Sequence, residues 1–133
     1  RIGAAPSALA AMFAALFTIR QGFMFGMIHA GLVCQKAGVP MQALVDQIPV
    51  SIGMLQNYYS VFATTVPSGD YDNAEASVAT YAAALDDALA TFKSTGAPAA
   101  LPQLMSALAH DAIKDGYGDK QLTALVEQML KDS

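Results

Sequence analysis

SALAAMFAALFTIRQGFMFGMIHAGLVCQKA, residues 7–37, decides the fold. It holds no proline and no acidic residue, and only Arg20, Gln21 and His29 interrupt its apolar run strongly. As a helix rising 1.5 Å per residue, it would be roughly 45 Å long. A compact domain of 133 residues has a radius of gyration of roughly 14 Å and a diameter of roughly 36 Å. The helix is therefore expected to protrude with apolar side chains on nearly every face. Something outside the domain must cover it, either a second copy of the chain or another domain.

The composition points the same way. Apolar residues make up 54 % and charged residues 14 %, against roughly 45–50 % and 25 % in ordinary globular chains. The net charge is −4, and the seven Lys and Arg residues are scattered. No basic face of the kind nucleic acid requires is expected. Cys34 stands alone, which fits a reducing cytoplasm and a small buried hydrophobe. A membrane-spanning helix wants about 18 or more uninterrupted apolar residues. Residues 8–19 supply twelve and 22–34 thirteen, with Arg20 and Gln21 between them, so no span is expected. Arg1 is a weak basic leader, and no signal peptide is expected.

Turn residues divide the rest into helices, with no strand signal. Ser7 is the expected N-cap of the first helix, and Gly38 its left-handed end. Pro40 suits the first turn of a second helical segment over 40–66. There Leu44, Ile48, Ile52, Leu55, Tyr59, Phe62 and Val66 form one apolar stripe, and Pro49 predicts a kink or break near 47–50. A loop follows over 67–73, and Asn73 is the expected cap of the third helix, with Glu75 in its first turn. Val78, Tyr81, Leu85, Ala88, Leu89 and Phe92 are expected inward, and Gly96 ends that helix. A fourth helix over 99–115 buries Leu101, Leu104, Leu108, Ala112 and Ile113. Gly116-Tyr117-Gly118 breaks it, and Asp119 caps a fifth over 120–131. The expectation is a single all-α domain, residues 1–133, of five or six helices.

Few residues point to chemistry. Gly116-x-Gly118 lies between helices, not after a strand, and lacks the third glycine of a dinucleotide fingerprint. Asp70, Asp72 and Glu75 offer too few ligands for calcium and read as a solvated loop. Thr18, Gln21 and His29 are more informative, because polar groups set in apolar surface need partners. Either they hydrogen-bond within a helical core or interface, or they line a substrate pocket. Tyr81 is core or pocket wall.

Two stretches carry a family resemblance. ALPQLMSALAHDAIKDGYGDKQLTALVEQM, residues 100–129, resembles the C-terminal end of bacterial imine reductases and reductive aminases: a helix, a short glycine-containing turn and Asp before a Leu-rich last helix. GDYDNAEASVATYAAALDDALATFKSTGAPAALP, residues 69–102, resembles them as well, as do Gly3, Pro6 and the Ala-rich opening of the first helix. His29-Ala30 falls where many members have a similar pair.

The resemblance implies a 6-phosphogluconate-dehydrogenase-like C-terminal domain in an enzyme whose N-terminal Rossmann domain binds NADPH. That Rossmann domain is absent from this chain. The wider group includes the 3-hydroxyisobutyrate dehydrogenases. Two chains would intertwine their helical domains, and each active site would lie between the Rossmann domain of one chain and the helical domain of the other. It also implies a catalytic position at Thr18, where many imine reductases carry an Asp or Tyr. Gln21, His29 and Tyr81 would bind substrate. Phe13 stands near the place of the hydroxyacid dehydrogenases' catalytic Lys. A threonine hydroxyl hydrogen-bonds well but is a poor proton donor at neutral pH.

The expected function is therefore dimerisation and substrate-pocket formation in a cytoplasmic, NADPH-dependent oxidoreductase acting on C=N. The chain alone should dimerise, bind no NADPH and not catalyse. The rival readings are a non-enzymatic helical interaction module and a hydroxyacid dehydrogenase relative acting on C=O, the second opposed by Phe13.

Overall fold

The structure, a computed structural model, describes residues 4–131, with side chains from residue 7 onward. Arg1, Gly3 and the side chain of Pro6 lie outside what it describes. The described chain is a succession of helices: α1 (Ala4–Ala37), α2 (Met41–Gly53), α3 (Gln56–Ser68), α4 (Val78–Thr95), α5 (Ala100–Ala112) and α6 (Leu125–Lys131). A π-type turn (Ile113–Tyr117) and a 3-10 turn (Leu122–Ala124) join α5 to α6. One isolated antiparallel bridge, Ser77 to Gln121, is the sole β-type pairing among the described residues.

The first helix is longer than expected. It starts at Ala4, so Ser7 lies inside it and is not its N-cap. Pro6 falls in the first turn, where its missing N–H costs nothing because that donor has no helical partner anyway. At 34 residues, α1 is about 51 Å long. Ser7–Ala37 is long and apolar enough, by length and composition, to cross a bilayer, and the Arg20-Gln21 interruption does not remove that property.

The second segment breaks in a different place. α2 runs straight through Pro49, and the chain turns at Met54-Leu55. An interior proline removes one backbone donor and crowds the carbonyl four residues back, yet α2 stays helical past Pro49 as far as Gly53. The helix instead gives out at Gly53, where propensity is poor. The interruption resets the helical phase. On α3 the half-buried residues are Tyr58, Val61, Thr65 and Val66, whereas Leu55, Tyr59 and Phe62 of the expected stripe are exposed. No residue of α2 or α3 is fully buried.

α4 begins at Val78, not at Asn73. Ser77 is its N-cap, and the Ser77 Oγ accepts the N–H of Thr80 at 3.2 Å. The two donors before Thr80 are met from elsewhere in the chain. Val78 N–H donates to the Lys120 carbonyl at 2.9 Å and Ala79 N–H to that of Gly118 at 2.8 Å. The 118–121 strap thus caps α4, and Gln121 N–H in turn donates to the Tyr71 carbonyl at 2.8 Å. Helix starts must satisfy their free donors somehow, and a partner forty residues away outcompetes Asn73 here. Likewise Gln121, not Asp119, caps the turn into α6, its side chain accepting from Thr123 N–H at 3.3 Å. Gly38 and Gly96 are left-handed helix ends as expected, with φ of 79° and 77°.

The core lies in the second half of the chain: Tyr71, Val78, Ala82, Phe92, Ala97, Ala109, Ala112 and Ala124. Its small residues let α4 and α5 approach closely. Leu104, expected inside, is 54 % exposed, and Ser106 takes an inward position. Ser106 Oγ donates to Asp86 Oδ1 at 2.7 Å, and His110 Nε2 stands 2.8 Å from Asp86 Oδ2. This ties the rim of α4 to that of α5.

The Ser106 hydrogen bond first, then His110, hold the Asp86 carboxyl below the ordinary value of 3.8. A carboxylate with a depressed folded-state value stabilises the fold above its unfolded value, and that contribution is lost as pH falls through the folded one. Asp86→Asn should therefore flatten the acid limb of stability below roughly pH 4 while lowering the neutral-pH urea midpoint. Acid limbs of equal slope in wild type and variant would remove Asp86 from this role.

Candidate functional site

The four residues singled out in the sequence do not converge within one chain. Thr18, Gln21 and His29 share one side of α1, within about 80° on a helical wheel. Thr18 is exposed, and its hydroxyl donates to the Ala14 carbonyl one turn back at 2.7 Å. That bond uses the hydroxyl proton, so toward a ligand the Thr18 oxygen is an acceptor. Gln21 is half-buried.

His29 is engaged at both ring nitrogens. Leu101 N–H donates to Nε2 at 3.3 Å, and Nδ1 lies 2.9 Å from the Phe25 carbonyl. Because Nε2 accepts, Nδ1 must carry the proton and donate to Phe25, which defines the neutral Nδ1–H tautomer. Leu101 is the second residue of α5, whose N-cap, Ala99, has no side-chain acceptor. His29 thus caps α5 from α1 across 72 residues of sequence.

Tyr81 sits elsewhere. With Tyr58 and Phe62 of α3, Met105 of α5, and Leu122 and Val126, it lines an apolar cavity of about 430 Å³ that draws nothing from α1. Tyr81 is 38 % exposed and faces open space, not core. Burial first, and then the neighbouring Tyr81, push the Tyr58 hydroxyl above its usual range. At neutral pH, Tyr58 is therefore a firmly protonated donor. Two phenols in an otherwise apolar wall can orient a polar atom of a ligand without supplying charge, the usual make-up of small-molecule sites. At the edge of the cavity, Thr65 and Thr123 exchange a 2.7 Å hydroxyl contact that pins α3 to the 122–124 turn.

Tyr58, Met105 and the 122–126 residues were not singled out in the sequence. Tyr58 is hidden by the phase reset at Met54-Leu55, since uninterrupted spacing selects Tyr59. A phase shift is recoverable from sequence only if the break itself is located, and Pro49 misplaces it.

Among the described residues, no group of three or more His, Cys, Asp and Glu side chains could hold a metal ion. Nor do Gly116 and Gly118 form a dinucleotide cradle. Gly116, at φ 93°, and Gly118 lie in the turn between α5 and the 122–124 turn, and Gly118 supplies its carbonyl to α4. A pyrophosphate cradle needs a strand running into a helix N-terminus.

His29→Ala should leave the Leu101 N–H without its acceptor and cost about 1–2 kcal/mol of stability. Thr18→Val, which loses only a bond within its own helix, should cost under about 0.5 kcal/mol. Chemical denaturation of both variants checks this, and equal costs would mean the α1–α5 contact is energetically idle.

Comparison with known proteins gives a consistent result. The family described as "NADPH-dependent reductive aminase-like, C-terminal domain" matches residues 6–131. No curated protein sequence matches the chain. Among solved structures, an imine reductase from Pseudomonas sp. superposes with a TM-score of 0.83 at 22 % identity, covering 90 % of this chain and 41 % of that one. An imine reductase from Myxococcus stipitatus in complex with NADP+ gives 0.81 at 20 % identity, over 88 % and 44 %. A reductive aminase from Aspergillus terreus, in complex with NADPH4, cyclohexanone and allyl amine, gives 0.80 at 20 % identity, over 87 % and 41 %. At such identities the likeness establishes the fold. The chain spans about two fifths of the length of these enzymes.

Proposed function

Because the chain belongs to the family of NADPH-dependent reductive aminase-like C-terminal domains, we propose that it is the dimerisation and substrate-pocket domain of a cytoplasmic NADPH-dependent oxidoreductase that reduces C=N bonds. The observation that carries this reading is the uncovered face of α1. Every described side chain from Ser7 to Arg20 is exposed, including Leu9, Met12, Leu16 and Ile19. Phe13, 68 % exposed, stacks on Phe17 with ring centroids 6.1 Å apart and nothing above them.

The whole chain exposes 9038 Å², where a compact monomer of this mass exposes roughly 6,700 Å². The excess is roughly 2,300 Å² per chain. Doubled for a pair, it falls within the 2,000–5,000 Å² of obligate dimers. A protein surface suits α1 better than lipid, because Arg20, Gln21 and His29 interrupt its middle and would lack partners in hydrocarbon.

In this reading NADPH is held by a separate domain of the enzyme, since Gly116 and Gly118 of this chain form no pyrophosphate cradle. When bound, it supplies the hydride. The residues of this chain contribute shape and hydrogen bonds. Thr18 presents an acceptor oxygen to the N–H of an imine protonated from solvent, and Gln21, one turn on, presents an amide. Tyr81, beside Tyr58, forms an apolar wall with a polar tip. His29 acts as a positioning residue, fixing α1 against α5 so that the Thr18 face is held relative to α4 and α5.

Two measurements test this. Sedimentation equilibrium of the protein produced from its complete reading frame should show a dimer at micromolar concentration, and Phe13→Glu should weaken it at least tenfold. A compact monomer in wild type would overturn the dimer. With NADPH and a cyclic imine, Thr18→Ala should lower kcat/KM about tenfold, the worth of roughly 1.4 kcal/mol. Tyr117→Phe should change it less than about twofold, because the Tyr117 hydroxyl donates to Glu127 and has no part in the cavity. Equal effects would remove Thr18 from the site, and absence of any NADPH-dependent imine reduction would overturn the enzymatic reading.

A further inference from the structure

The ring of His29 makes its contact with α5 in one protonation state only. Leu101 N–H donates to Nε2 at 3.3 Å, while Nδ1–H donates to the Phe25 carbonyl at 2.9 Å. Nε2 accepts with the lone pair that a second proton would occupy. A doubly protonated ring would set Nε2–H against Leu101 N–H, two donors facing each other with no acceptor between them. The positive charge would also lie at the N-terminus of α5, where the helix dipole is already positive. Flipping the ring does not restore the bond, because both nitrogens are donors in that state.

The amide concerned has no substitute acceptor in its own helix. Leu101 is the second residue of α5, and the first amides of a helix lack an intrahelical acceptor. Ala99, the N-cap residue, makes no side-chain cap bond, Pro102 has no N–H, and Gln103 N–H is met by the Ala99 carbonyl. The other histidine responds oppositely. His110 Nε2 stands 2.8 Å from a carboxylate oxygen of Asp86, which only accepts, so Nε2 donates there and a second proton leaves that contact in place.

α1 packs against α2, α4 and α5. Asp46 of α2 is engaged by Gln42, and Asp86 of α4 by Ser106 and His110. The other charged groups are Arg20 and Lys36 of α1, Asp87 and Lys93 of α4, and Asp111 of α5. Among the described residues, none of these, nor Cys34 or Tyr81, is hydrogen-bonded or ion-paired to the His29 ring. The ring's contacts are the two backbone groups alone, so its own proton count decides whether the α5 contact stands.

We propose that the His29–Leu101 contact is a pH-sensitive latch between α1 and α5, closed on the neutral ring and opened when the ring takes up a second proton. With the latch open, the first turn of α5 has a free donor, and α1 keeps only its apolar packing against α4 and α5. Acid would then loosen the Thr18 face of α1 from the α4–α5 body. That last consequence rests on the proposed function of the preceding subsection, whereas the latch itself does not.

Hydrogen exchange at single-amide resolution tests the latch in the protein produced from its complete reading frame. Protection of the Leu101 amide is compared with that of Gln103, whose acceptor is a carbonyl that does not titrate. The comparison is made at about pH 8 and about pH 5, the limits between which imidazoles change charge. In the wild type, Leu101 protection relative to Gln103 should fall about fivefold in acid, the worth of a typical helix cap. In His29→Ala it should be low at both pH values. In His29→Gln, whose side-chain carbonyl accepts at either pH, it should be the same at both. The latch is overturned if the wild-type ratio is equal at the two pH values, if His29→Ala keeps the wild-type fall, or if His29→Gln falls as the wild type does. The wild-type comparison decides even where a variant fails to fold. None of these measurements involves imine reduction or the dimer, so the latch and the proposed function fail by different experiments.

Discussion

The structure depends on one unmet requirement: α1 is apolar, about 51 Å long, and over its first half not covered by its own chain. Burial of apolar surface is worth roughly 25 cal/mol for each Å², so a helix carrying exposed Met12, Phe13, Leu16 and Phe17 is a strong demand for a second surface. The rest of the domain is organised so as not to satisfy that demand internally. α2 packs against the second half of α1, around Phe23, Met27 and Ala30, and leaves the first half free. α4 and α5 make their own alanine-rich core and meet α1 near His29. What is left open is the first half of α1 and a set of apolar grooves beside it.

The domain's interior is held by polar closures more than by large side chains. Among the described residues, Val78 is the one large side chain with no exposed surface, and alanines supply much of the remainder. Such a core gives little transfer energy per residue, so helix ends matter. The 118–121 strap satisfies α4, His29 satisfies α5, and the side chain of Gln121 satisfies the turn into α6. Each closure joins segments distant in sequence, and together they set which faces of α3, α4 and α5 surround the cavity at Tyr58 and Tyr81. A residue such as His29 can therefore look like chemistry in the sequence and serve geometry in the fold.

Much of the fold was legible in the residues. Gly38 and Gly96 end their helices because a left-handed position excludes most other residues cheaply. Of the stripe from Val78 to Phe92, the two ends are buried and Leu85 and Leu89 are half-buried, while Tyr81 and Ala88 are exposed and Ala82 takes a buried place. The site was less legible. Tyr81 was identifiable by its stripe, but Tyr58 was not, because a two-residue turn displaced the helical phase.

The sequence by itself determined the helical class, the family and the need for cover on α1, because periodicity, glycine punctuation and apolar content act locally and leave a direct trace in the order of residues. Only the tertiary structure decided where helices start, which nitrogen of His29 carries the proton, and which face of α3 looks inward. Those outcomes rest on donors and acceptors that meet across the chain. A local signal such as Asn73, Ser7 or Asp119 yields whenever a distant partner satisfies the same backbone group at lower cost.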